Sequence, residues 1–199
     1  MKIGEARAAY GVCLRSYYDK QRELGKQKKA LEEKINNTEN GAVIYKNEAA
    51  IIELQYEAVN DKKNEYQDYV DELIEQHCAI ANKYVAEQQT DAYAEAAKDM
   101  QKIMIVARRI MKGDKVPAKD EKKLMEFDYK LYSLAKSAGA MAKVKKRKEH
   151  KSLWEDEEKK EYPDATEAAD NTEVMSEGPE IINVEDTMSA ATADMDIGE

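Results

Sequence analysis

The chain has 199 residues with a formal net charge of −9, 42% hydrophobic and 37% charged residues, and only 8 Gly and 3 Pro. That balance allows one domain, with or without a tail, and favours long helices over sheets, which need more turns and β-branched runs. It excludes a membrane span, because no window of eighteen apolar residues occurs.

Residues 1–7 lack the apolar core of a signal peptide, so a cytoplasmic protein is expected, with signal-independent secretion left open. Two cysteines, Cys13 and Cys78, sit within apolar helical faces, where buried free thiols fit a reducing compartment. Abundant Lys, Glu, Asn and Tyr suggests a bacterial or phage origin. Between residues 161 and 199 there are twelve Asp or Glu and no Lys or Arg, which leaves +3 for residues 1–160. The acidity therefore belongs to the tail, and the helical part is near neutral.

Residues 3–35 form the first predicted helix. Ile3, Tyr10, Tyr17, Leu24 and Leu31 fall seven apart, joined by Leu14 and Ile35, which is a coiled-coil seam. Residues 36–41 hold three asparagines and a glycine, the composition of a helix stop and reversal. A long helix then runs from Ala42 to about Gln89, and the rest of the chain is organised around it. Ile44, Ile51, Ala58, Tyr66, Tyr69, Leu73, Ile80 and Tyr84 lie on one of its faces. An antiparallel return brings Tyr10 opposite the region of Tyr69. The 12 Tyr against 1 Phe and 1 Trp suit half-buried seams, where the ring packs and the hydroxyl reaches water.

Gln88, Gln89, Thr90 and Asp91 make a weaker break, after which residues 92–112 read as a third helix burying Met100, Ile103, Met104, Ala107, Ile110 and Met111. Gly113 followed by Pro117 is a strong stop. The fourth helix begins near Ala118 and carries Leu124, Phe127, Leu131, Leu134, Ala138 and Met141, spaced as one unbroken seam; Asp128 offers a cap for a break within it. Beyond Pro163 the helical period is lost.

The expected fold is all-α: an elongated antiparallel coiled-coil or helical bundle of about four helices with a long central helix. Residues 1–160 are the bundle, with a projecting hairpin arm over roughly 18–60. Tyr10, Leu73, Ile103, Ile110 and Leu124 would share one core. Residues 161–199 are expected to be a disordered acidic tail, too polar to offset its ordering entropy. Within that tail, Ile181, Ile182 and Val184 are the one candidate contact point.

No catalytic constellation is readable. His77 and His150 have Ile74 and Arg147 three residues before them, so neither forms the Glu-x-x-His of di-iron bundles, and two His with two scattered Cys give no zinc spacing. Ser133-x-x-Lys136 matches a serine acyl-enzyme motif, but lies mid-helix without companion motifs. No phosphate loop or nucleophile elbow occurs. Catalytic residues, cofactors and metals are therefore not expected.

Two exposed candidates remain. Trp154 stands before an acidic run, Glu155, Asp156, Glu157 and Glu158; it either caps the bundle or anchors a linear motif for a partner. The basic run Lys143, Lys145, Lys146, Arg147 and Lys148, continuing to Lys151, can touch phosphates. It lacks interleaved aromatics and an equal acidic run follows, which disfavours nucleic acid. The resulting expectation is a non-enzymatic helical adaptor or scaffold that binds protein partners, a second copy among them, through the hairpin and the Trp-acidic segment. The alternatives are a chaperone or substrate of a bacterial secretion or phage assembly machine, and a nucleic-acid accessory protein using residues 143–151.

Overall fold

A computed structural model of the chain describes residues 1–142, 147–155 and 160–193. These residues are all-α: α1 (Ile3–Asn37), α2 (Gly41–Ile44), α3 (Lys46–Met111), α4 (Ala118–Phe127), α5 (Tyr129–Met141), α6 (Ala165–Asp170) and α7 (Val184–Thr192). They divide into two compact units. The first holds Met1–Lys83 with the chain from Asp164 onward, and the second holds Tyr84–Pro163.

In the first unit the reversal after α1 falls where the asparagines place it. Asn40 takes the left-handed conformation, φ 60°, which its short polar side chain tolerates. The seam residues Tyr10, Leu14, Tyr17 and Leu24 then bury against Val59, Tyr66, Tyr69 and Leu73 of α3. The Tyr10 and Tyr69 rings meet edge-on at 4.7 Å between centroids.

The segment expected to be a disordered tail is instead part of this unit. Ala169 and Val184 are buried, and Val174 and Met188 pack on the core. Main-chain bonds tie the segment to the start of α1: Ile3 N donates to Thr172 O (2.9 Å) and Val174 N to Met1 O (3.1 Å). Asp170 of α6 lies between Arg7 (3.4 Å) and His77 (3.2 Å). Composition predicted disorder because it counts apolar side chains. The segment is held largely through its main chain, which composition does not register.

The second unit departs from expectation at two breaks. No break occurs at residues 88–91, and α3 is continuous there. Neither glycine nor proline interrupts it, and the Thr90 hydroxyl donates to Ala86 O (2.8 Å), four residues back along the same helix. The expected single core is accordingly two, with Tyr10 and Leu73 in the first and Ile103, Ile110 and Leu124 in the second. The other break is real: α4 ends at Phe127, and Asp128 caps α5 by accepting from Lys130 N (2.8 Å) and Leu131 N (3.0 Å). This resets the register of α5, so Ala135 faces inward while Leu134 and Met141 stay exposed. On α3, Ile103, Val106, Ala107 and Ile110 are buried, whereas Met100 and Met104 are not. The stop after α3 is as expected, with Gly113 at φ 80° and its N–H donating to Ile110 O (2.9 Å).

Candidate functional site: a tyrosine-lined groove and its strap

In the first unit, α1 and the facing part of α3 each turn tyrosines toward one line. Tyr10 and Tyr17 are one heptad apart on α1; Tyr66 and Tyr69 are neighbours on one face of α3. All four rings are buried, stacked edge-on in a chain from Tyr69 to Tyr10 to Tyr66 to Tyr17. Such contacts leave each hydroxyl at the rim of the apolar seam, where it needs a partner.

The partners are main-chain groups of residues 176–183, which lie across the hydroxyls as a strap. Tyr69 donates to Ser176 O (3.0 Å), Tyr10 to Pro179 O (2.6 Å), Tyr66 to Glu180 O (2.8 Å) and Tyr17 to Ile182 O (3.1 Å). Tyr66 also accepts from Ile182 N (2.9 Å), and the Tyr17 and Thr187 hydroxyls are 2.6 Å apart. The four carbonyl contacts follow chain direction and use no side chain of the strap, so they recognise an extended backbone more than a sequence.

Gly178 is the exception, where sequence does matter. A Cβ there would lie 2.4 Å from both the Tyr10 hydroxyl and a Tyr69 ring carbon. Only a glycine lets the backbone approach the two rings this closely. Beyond the strap, Asn183 caps α7 by accepting from Asp186 N (2.8 Å), and Val184 seals the end of the seam. Along the α1 side a cleft of about 730 Å³ stays open, with Val12, Cys13 and Tyr17 on one wall and Ile181 and Asp186 on the other.

Burial pushes the pKa of all four phenols above the free value. For Tyr10 the neighbouring Tyr69 adds to this, and for Tyr69 the Glu72 carboxylate does. At neutral pH every hydroxyl is a donor, as the four carbonyl contacts require.

Trp154 takes the first of its two readings. It is 1% exposed and closes the core of the second unit. Its Nε1 donates to Asp99 Oδ1 (2.7 Å), and Lys123 and Lys102 sit 4.5 and 5.4 Å from its ring. The loop before it hangs on Asp120, which is fully buried and accepts from the Ser152 hydroxyl (2.5 Å) and Leu153 N (3.1 Å). A tryptophan held this way is not an exposed anchor. Glu155 is exposed, while Asp156, Glu157 and Glu158 lie outside the described residues.

Of the basic run, Lys143, Lys145 and Lys146 lie outside the described residues. Arg147, Lys148 and Lys151 are exposed, with the Lys148 carbonyl accepting from Lys115 N (2.8 Å). Cys13 is half-buried and Cys78 exposed, and both are free thiols. Ser133 is exposed, and Lys136 pairs with Glu121 (2.7 Å). Among the described residues no group of three or more His, Cys, Asp or Glu is placed to hold a metal ion, and no helix is long and apolar enough to cross a membrane.

No protein-family model, curated protein or solved structure matches the chain.

Proposed function

We propose that this chain is a helical adaptor that binds protein partners, and that its binding surface is the groove between α1 and α3 rather than the Trp154 segment. The observation that supports this is the row of four tyrosine hydroxyls bonded to main-chain groups of residues 176–183. In this reading α1 and α3 make a coiled-coil hairpin, and the strap is a ligand carried in cis. A partner segment with an extended backbone and a small residue at the Gly178 position fits the same contacts. The acids that flank the strap are held by contacts that a partner can replace, as Asp170 is by Arg7 and His77.

The test uses Gly178→Leu, which forces the strap off Tyr10 and Tyr69 without touching the groove. A labelled peptide of residues 174–187 is expected to bind this form and not the wild type, and to lose binding when Tyr10 and Tyr66 are also changed to Phe. Host proteins retained by Gly178→Leu should be released by the same peptide. Failure of Gly178→Leu to bind the peptide removes the reading.

A further inference from the structure

The second unit carries an apolar face that the described residues leave uncovered over most of its length. Ala86, Tyr93, Ala97, Met100, Met104 and Met111 follow one another on α3 at steps of seven, four, three, four and seven, which is a single helical stripe. It runs beside the buried stripe of Ile103, Ala107 and Ile110 and merges with it at Met111, which packs partly on the core of the second unit. Tyr93 is 76% exposed, Met100 55% and Met104 41%; Ala86 and Ala97 are exposed and Met111 half-buried. Residues 160–163 do not cover it, because they attach elsewhere on α3, Tyr162 to Asp91 (2.9 Å) and Pro163 O to Gln88 (3.0 Å).

We propose that this stripe binds a second copy of the chain, α3 packed antiparallel on α3, with the symmetry axis between Ala97 and Met100. Self-complementarity selects the occupant. In this register Ala97 of each copy faces Met100 of the other, Ala86 faces Met111, and Tyr93 faces Met104. Two layers pair a large side chain with a small one, and the third is a sulfur–aromatic contact. A parallel pair would instead stack Ala97 on Ala97 and Met100 on Met100, leaving voids beside bulges.

Charge points the same way. Glu87 and Arg108 flank the stripe on its solvent side, both are exposed, and neither has a side-chain ion pair among the described residues. The antiparallel register sets Arg108 of each copy beside Glu87 of the other, once at each end of the seam. A parallel register puts Glu87 and Arg108 of one copy on the opposite side of the seam from those of the other, so neither charge meets its opposite. The face is isologous, so the pair closes at two copies and does not propagate.

Sedimentation of the full chain at tens of micromolar is expected to give twice the mass of the 22.7 kDa chain. Met100→Asp should give monomers whose Trp154 emission is that of wild type. Arg108→Glu should weaken the pair about tenfold or more, and Glu87→Arg combined with Arg108→Glu should restore it. The double reversal separates the antiparallel register from every other arrangement, and both substitutions lie on the surface. A wild-type monomer, as expected if the stripe receives a helix of another protein, overturns the proposal. So does a dimer indifferent to Met100→Asp, or a double reversal no tighter than Arg108→Glu alone.

Discussion

Burial raises the pKa of Tyr10, Tyr17, Tyr66 and Tyr69 in the folded chain, while in the unfolded chain each titrates near a free phenol's value of about 10. The folded state therefore holds protons that the unfolded state has released once pH passes about 10, and stability falls with rising pH from there. Below that pH the contribution is fully present. Melting of the first unit is thus expected to be flat from neutral pH to about 9.5 and to drop above about 10, in step with tyrosinate absorbance. Tyr66→Phe should remove the dependence in part. It also leaves Glu180 O and Ile182 N without their hydroxyl partner, at a cost of about 1–3 kcal/mol in a denaturant melt. An alkaline melting profile identical in wild type and Tyr66→Phe would mean that these phenols do not set it.

Two elements show how close approach is built in. In α5, a Cβ on Gly139 would lie 2.1 Å from Ile110 O, a main-chain atom that cannot swing aside. Gly139→Ala should push α5 off α3 and destabilise the second unit by about 1–3 kcal/mol, read by the emission of Trp154, the only tryptophan. Gly11→Ala on α1 is the matched control. Nothing lies within 4 Å of its added methyl, so a helix gain of up to about 1 kcal/mol is expected. Equal losses from both would remove the packing argument. The same elements mark what periodicity discloses. The seam of α1, the reversal at Asn40 and the stop at Gly113 were legible, because each is decided by residues adjacent in sequence. The continuity of α3 through Thr90 was not, since a hydroxyl that caps a helix start bonds as readily to a carbonyl inside one. Nor was the exposure of Met100 and Met104, because the two apolar stripes of α3 adjoin and a period cannot say which is covered.

At the scale of the molecule, the groove was half legible. Tyr10, Tyr17, Tyr66 and Tyr69 could be placed on one seam from their spacing, and Ile182 and Val184 stood out in the tail. Their meeting could not be read, because it joins hydroxyls to carbonyls across more than a hundred residues and carbonyls carry no sequence signature. Ending the chain after Pro163 tests how much this meeting holds. The loss of Val184 and Val174 from the core, net of the ordering entropy recovered, should destabilise the first unit by about 2–4 kcal/mol. Circular dichroism would register that as a lower midpoint, whereas an unchanged midpoint would mean that the strap is held only loosely.

The strap's position in the chain also sets a clock. During synthesis the first unit's part of α3 is finished at Lys83 and the strap at Asn183, about 100 residues later. At translation speeds of about 5–20 residues per second, the four tyrosines wait about 5–20 s for the segment that covers them. For that interval the groove of each newborn copy faces whatever extended chain is nearby, including the finished tail of the copy made just before it on the same message.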